Sequence, residues 1–440
     1  SDVLYVTNGE TTDFAHVRRG TLAWTPELSE GCPNCGFVFP DDEALVQAEF
    51  VRNRPFALDV AKSASDPDDP VSHLGLETKP FYLKSDDTYK TGLPLANFTF
   101  DVSYGDPQEV RVLAKRSLGA VTLKYSINGG PAQSAPTQEW NGGERYGGQT
   151  DVYYHVMSGI VTGTSPGNSV RVWFEGGGET SDSFTYTAAV ESSNDVLILS
   201  AEDYSGASPV QTPGPHYLSF YEDALAANDR GFDVYDVDAR GRKAATFLGV
   251  LSHYDAVVWY TGDDVITREP GWVGGNGSRL AMDEVLHARE YLNEGGRVLY
   301  SGKNAGLQFA SPQVQLYDPT AANAQCSALP PTADPRRCLI LFGSTSSDLQ
   351  NDVLEYWFGS YLFNGGAGVD TGPFDIFDVL GTDTPFTSLQ LMFNGADSAQ
   401  NQNTANSFIA TSGILPVDEY PQFESWVSAR YDRPGGPFAP

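Results

Sequence analysis

The stretch that decides the fold is "DVLILS" at residues 195–200. It is a short apolar run with an acid in front and a small polar residue behind, the composition of a strand buried on both faces. The pattern recurs in "FDVYDVD" (232–238), "DAVVWYTG" (255–262) and "RVLYSG" (297–302), with helical stretches predicted near 215–229, 243–253 and 279–294. Strand and helix in alternation predict a doubly wound α/β unit, whose ligands sit at the carboxyl ends of its parallel strands. Beyond about 366 the chain reads as strand-poor and polar, as in "NQNTANS" (401–407).

Upstream, the period changes to two. In "NFTFDVSYG" (97–105), Phe98, Phe100, Val102 and Tyr104 alternate with Thr99, Asp101 and Ser103. In "VTLKYSINGG" (121–130), Val121, Leu123, Tyr125 and Ile127 alternate with polar residues before an Asn-Gly turn. "EVRVLAKR" (109–116), "DVYYHVMSGIV" (151–161), "SVRVWFEGG" (169–177) and "SFTYTAAV" (183–190) continue the series. Half-buried strands at such intervals predict an immunoglobulin-like β-sandwich over 76–190. Before it, "SASDPDDP" (63–70) has the composition of a linker, and a helix is expected from the acidic cap Asp41–Asp42 to about Ala64. Its apolar stripe would be Leu45, Ala48, Val51 and Leu58, with Pro55 as a kink. One helix and the strand-like run "DVLYV" (2–6) cannot enclose a core, so residues 1–64 look like the end of a larger domain.

The expected fold class is therefore multidomain, α/β plus all-β. Its segments are 1–64, a linker at 65–75, the sandwich at 76–190, the α/β domain at 191–430, and a linker at 431–440. The length of 440 residues suits two to four domains. A formal charge of −30 argues against nucleic-acid or anionic-membrane partners, which need a positive surface. No run of about 18 apolar residues is present, so no membrane span is expected.

Four cysteines form two close pairs, Cys32 with Cys35 and Cys326 with Cys338. Two short disulfide loops are the better reading, which implies a secreted or cell-surface setting. A redox dithiol at "CPNC" (32–35) would need a thioredoxin-like βαβ setting that 20–60 does not show. "LHAREYL" (286–292) raises the question of zinc, since His287 and Glu290 stand at ligand spacing. No histidine follows His287 to complete a site, and the helical angle sets Ala281, Val285, Ala288 and Leu292 against the sheet. His287, Glu290 and Asp283 are then expected on the solvated side. Glu202, Asp203, Asp263 and Asp264 follow strand ends, where they are candidates for a ligand crevice or a cation such as calcium.

A more specific pattern lies near Ser1. "LYVTNGETTDFAHVRRGTLAWTPELSE" (4–30), followed by the helix, resembles the close of the catalytic domain in zinc metallocarboxypeptidases of the pancreatic type. Tyr5 stands twenty-two residues before Glu27 in "WTPEL", as the family's mobile tyrosine stands before its catalytic glutamate. The resemblance implies that Glu27 is the general base acting on zinc-bound water, that Tyr5 covers a bound peptide, and that Thr12 floors the pocket for its last side chain. It also implies zinc as cofactor and a peptide or protein substrate, with the zinc ligands encoded before residue 1. The α/β unit resembles the class I glutamine amidotransferase-like fold in "GKNAG" (302–306), the frame of a nucleophile elbow. Asn304 occupies the nucleophile position, and an amide cannot attack as Ser or Cys does, which implies a catalytically silent domain. The sequence does not indicate a partner for either accessory domain.

Overall fold

A computed structural model describes residues 42–66, 69–84, 97–140, 154–190, 193–205, 213–262, 275–276 and 278–302. Beyond these it describes 315–317, 339–341, 357–358, 360–367, 378–381, 386–388, 390–392, 405–410, 429–433 and 436–437. The first element is helix α1 (Glu43–Ser63), which starts where the acidic cap was expected. Asp42 Oδ1 accepts from Ala44 N at 2.8 Å and Leu45 N at 3.1 Å, satisfying donors that a helix start leaves open. After the helix the chain folds back. Val71 N donates to Ser63 Oγ at 2.9 Å, and His73 Nδ1 lies 2.6 Å from Asp59 Oδ2. No residue of α1 is buried, so the stripe of Leu45, Ala48, Val51 and Leu58 is not a packing face within this structure.

Strands β1 (Phe81–Tyr82), β2 (Val102–Ser103), β3 (Gln108–Lys115), β4 (Val121–Ile127), β5 (Gln133–Glu139), β6 (Tyr154–Val161), β7 (Ser169–Gly176), β8 (Glu179–Thr180) and β9 (Phe184–Ala188) form one curled sheet. Its order is β1-β3-β6-β5-β4-β7-β9-β2, with β8 beside β7. Alternation sends Val110, Val112, Leu123, Val170, Val172, Phe174 and Tyr186 inward, all buried. Asn128 and Gly129, at φ 52° and 69°, make the tight turn that the right-handed twist of a hairpin favours. Strand β5, "QSAPTQE", is polar and carries a proline, so no period revealed it. Its first half pairs with β4 (Thr122↔Pro136) and its second half with β6 (Thr137↔Gly159), joining the two layers.

Next come β10 (Val196–Ser200), α2 (Leu218–Ala226), β11 (Phe232–Asp236), β12 (Ala256–Tyr260), β13 (Gly275–Asn276), α3 (Ser278–Asn293) and β14 (Arg297–Ser301). The four apolar runs pair in parallel in the order β11-β10-β12-β14. The helix expected over 243–253 is absent; turns and one 3-10 turn at Leu251–His253 replace it. Carbonyls in that stretch serve the curled sheet instead of a helix. Gly249 O accepts from Tyr104 N at 2.8 Å, and Leu248 O from Gln108 Nε2 at 2.7 Å.

The chain beyond β14, which includes the stretch read as strand-poor from about 366, also pairs. β15 (Gln315–Tyr317) lies between β13 and β16 (Leu339–Leu341), and β17 (Ser360–Ala367) pairs with a later strand, Ala405–Ala410. β18 (Asp378–Gly381) and β19 (Gln390–Met392) precede that strand, β20, and β21 (Ala429–Arg433) and β22 (Gly436–Pro437) follow it. The order β19-β18-β21-β22 makes an antiparallel sheet that includes residues read as a linker from 431. Several of these pairings, such as Ser360↔Ala410 and Asp378↔Asp432, join partners distant in sequence, which a local polar composition does not disclose.

The whole is mixed α/β, mostly sheet. The curled sheet and the parallel sheet share one apolar core that runs from Phe81 to Tyr291. Tyr104 packs on Tyr235 and Tyr254, and its hydroxyl donates to Val234 O at 3.3 Å. His253 fills the space a Cβ on Gly105 would need, with Nε2 3.0 Å from Gln108 Oε1. Among the described residues no helix is long and apolar enough to cross a membrane.

Candidate functional site

In a parallel sheet of this order, the chain leaves the neighbours β10 and β12 in opposite directions, which opens a crevice at their carboxyl ends. Glu202 and Asp203 stand there, as expected, and both are buried. Glu202 is committed to the fold. Its Oε1 accepts from His216 N at 3.0 Å and its Oε2 from Tyr217 N at 3.1 Å, just ahead of α2, where a carboxylate meets unsatisfied donors. Gly262, at φ 59°, lies so close to Glu202 and Tyr217 that a side chain there would collide with both.

A row of hydroxyls crosses the sheet beneath. Ser200 Oγ and Tyr260 OH are 2.7 Å apart, and Tyr221 stacks on Tyr260 at 4.4 Å and donates to Ser301 Oγ at 3.1 Å. Burial pushes the phenols of Tyr260 and Tyr221 above their usual range, so they remain neutral donors. Beside them the loops after β10 and β11 are tied together. Tyr204 OH donates to Asp236 Oδ2 at 2.9 Å and Ser205 N to Asp238 Oδ2 at 2.7 Å. Asp238 Oδ1 lies 3.8 Å from Arg242 Nη1, which reaches Ala201 O at 3.4 Å.

Among the described residues the side chains of this arrangement bind its own loops. Among the described residues no serine or cysteine is hydrogen-bonded to a histidine, and no group of three His, Cys, Asp or Glu is placed to hold a metal. Asp236, Asp238, Arg242 and Tyr204 were not singled out in the sequence, although "DVDAR" (236–240) ends a strand in two acids. Asp263, Asp264 and Asn304 lie outside the described residues, as do Tyr5, Thr12, Glu27, Cys32, Cys35, Cys326 and Cys338.

His287 is a correction: it is buried and not on a solvated face. The buried arc of α3 includes Leu280, Glu284, Val285, His287, Ala288 and Tyr291, because the helix meets the curled sheet as well as the parallel one. His287 shares a small cavity with Phe98, Phe100, Arg111 and Glu290. Its Nε2 is 3.6 Å from Asp283 and its Nδ1 3.5 Å from Glu290. Burial opposes its charge, but the two carboxylates outweigh that and hold its pKa above the ordinary value.

Glu284 is the most perturbed acid described. Both its oxygens and Trp259 Nε1 are buried without a hydrogen-bond partner among the described residues, around a cavity of about 10 Å³. Desolvation pushes its carboxyl up to about 8, with Asp283 adding to the effect and Arg242 opposing it.

No protein-family model and no curated protein matches this chain. Among solved structures, an uncharacterized protein from Listeria monocytogenes is similar at 14% identity over 25% of this chain and 10% of that one, with a TM-score of 0.19. The cycloalternan-forming enzyme of the same organism matches at 14% identity over the same shares, with a TM-score of 0.18. A purple acid phosphatase from yellow lupin seeds matches at 10% identity over 60% of this chain and 42% of that one, at 0.17. The match thus spans a tenth of the first two proteins, and none of the three overlaps closely enough to argue a shared fold.

Proposed function

We propose that this chain is the C-terminal portion of a secreted zinc metallocarboxypeptidase that removes C-terminal amino acids from peptides. In this reading residues 1–64 close the catalytic domain, 76–190 are an immunoglobulin-like sandwich, and 191–430 are an amidotransferase-like α/β domain without catalysis of its own. Glu27 acts as general base, Tyr5 and Thr12 contact substrate, and the zinc ligands lie outside this sequence. Zinc would supply the Lewis acid, and this chain the proton acceptor and part of the pocket.

The observation that carries the reading is the uncovered helix. Leu45, Val46, Phe50, Val51, Phe56 and Leu58 of α1 are all between 41% and 56% exposed. A capped helix of 21 residues that buries nothing lacks the packing from which most helices in proteins draw their stability, whereas a final helix laid on a catalytic sheet would cover those side chains. The test is made in the longer polypeptide. Glu27→Gln should abolish cleavage of a hippuryl-peptide while zinc stays bound at one per chain; near-normal turnover would overturn the assignment.

A second reading, a non-catalytic extracellular binding protein, is favoured by the self-bound crevice at the ends of β10 and β11. A gene that encodes no His-x-x-Glu and later His ahead of Ser1 would select it.

A further inference from the structure

The outer face of the curled sheet carries an open groove of about 350 Å³, which shares no lining residue with the crevice of the parallel sheet and is independent of the carboxypeptidase reading. It is lined by Ser126, Gly130, Ser169, Arg171, Trp173 and Thr185, among others. Their placement follows from register. On β7, Arg171, Trp173 and Glu175 point outward while Val170, Val172 and Phe174 fill the core. Lys124 on β4 stands opposite Trp173, Ser126 opposite Arg171, and Thr185 on β9 flanks Arg171 from the other side.

Each functional group is held in place. Trp173 Nε1 donates to Glu175 Oε1 at 3.1 Å, which fixes the plane of the indole. Arg171 Nε donates to Ser183 Oγ at 3.1 Å, and its guanidinium lies 5.4 Å from the Trp173 ring centroid. Lys124 Nζ is 3.4 Å from Glu175 and 2.9 Å from Ser134 Oγ. Arg171 is exposed and has no carboxylate within ion-pair distance among the described residues, in a chain whose formal charge is −30. Such an arginine offers a planar fork of donors that fits a carboxylate with two parallel bonds.

We propose that this groove binds an oligosaccharide that carries carboxylates, with a uronic-acid unit seated beside Trp173 and its carboxylate on Arg171. Half-buried Trp173 leaves the part of its indole clear of the guanidinium for the C–H face of a pyranose ring, the arginine fork takes its carboxylate, and the exposed hydroxyls of Ser169 and Thr185 face the ring hydroxyls. An extended peptide would need a free sheet edge for backbone pairing, and the groove is on a face. A nucleic acid has a far denser charge, which the acidic chain repels. A short oligouronate carries few charges, and at physiological salt the wider field is screened within about 8 Å.

The test is calorimetric titration of the full chain with oligogalacturonates, malto-oligosaccharides of equal length, and polyglutamate. The oligouronate should bind, with the neutral sugar and Arg171→Gln each weaker by about tenfold or more, the size of one lost charge-assisted bond. Trp173→Ala should bind more weakly still. Thr185→Tyr, which narrows the groove at an exposed strand position, should also lose binding with an unchanged melting temperature. No heat with oligouronate at millimolar concentration would overturn the proposal. So would unchanged binding in Trp173→Ala or Thr185→Tyr, equal binding of polyglutamate, or equal binding of the neutral sugar.

Discussion

Helices α1 and α3 are the two longest described, and they make opposite cases. α1 has the better local credentials: Asp42 caps it with two bonds, Glu43 suits its N-terminus, and Lys62 suits its C-terminus. It buries nothing. α3 carries no charge suited to either end, yet Leu280, Val285, Ala288 and Tyr291 are buried, and two sheets close over them. The difference teaches that local sequence decides where a helix starts and stops, while its stability comes from the partner it covers. α3 has its partner in this chain, and α1, on the proposal above, has it in residues outside this sequence.

The comparison breaks first at Tyr291. Its ring packs over Gly296, where a Cβ would collide with it, and its hydroxyl donates to Tyr254 O at 3.0 Å. Tyr291→Ala should destabilise the chain by about 3–5 kcal/mol, read as a fall in the urea midpoint, because a large buried ring is replaced by a cavity. A loss below about 1 kcal/mol would mean that α3 is no better anchored than α1.

A smaller effect separates the two helices by pH. Glu284 on α3 keeps its proton up to about pH 8 in the folded chain, against an ordinary 4.5. A raised carboxyl pKa contributes stability that is complete below 4.5 and is lost as the pH rises towards 8. His253, in the joint between the sheets, runs the other way. Burial depresses it from 6.5 to about 4, so its contribution is complete above 6.5 and is lost as the pH falls through 4. Between pH 4.5 and 6.5 the two groups oppose one another, so Glu284→Gln should flatten the decline in urea midpoint between pH 6.5 and 8 and leave the acid limb in place. If the decline persists in that variant, another group is responsible.

These two helices also mark how far the sequence could be read. Period two in Val121–Ile127 and apolar runs such as Val196–Ser200 were legible because burial on one face or on both repeats regularly along a strand. β5 was not, since a strand that passes between two layers is defined by its partners. The buried arc of α3 was misjudged at His287 because one neighbour was assumed and two exist. Residues 243–253, with Ala244, Ala245, Phe247, Leu248, Val250 and Leu251, would suit a buried helix, but the carbonyls of Leu248 and Gly249 are taken by Gln108 and Tyr104 from more than 130 positions away. At the site, the acids after β10 were legible as strand-end residues. The task of Glu202 in holding the start of α2 was not, because His216 and Tyr217 approach only in the fold.

The cap of α1 comes next in size. Asp42→Ala removes the acceptor for Ala44 N and Leu45 N and should cost that helix about 1 kcal/mol, visible as faster amide exchange in its first turn. The urea midpoint of the sheets should stay where it is, since α1 contributes nothing to their core. A shift of the global midpoint would show that α1 is coupled to the rest of the chain.

The smallest expected effect is the most informative. Phe50→Ser removes a large apolar side chain from α1, and in a packed helix that change would cost several kcal/mol. Here Phe50 is 56% exposed, so the unfolding of this chain should change by no more than about 0.5 kcal/mol, or improve slightly in solubility. The same substitution in the longer polypeptide should be severely destabilising if α1 lies on a catalytic sheet, because the side chain would then leave a cavity in a core. The pair of measurements separates two reasons for an exposed phenylalanine. A neutral result in both settings would mean that α1 is a solvated spacer, and the proposal would lose the observation that carries it. A neutral result here with a large loss there would place the partner of α1 in the residues that precede this sequence.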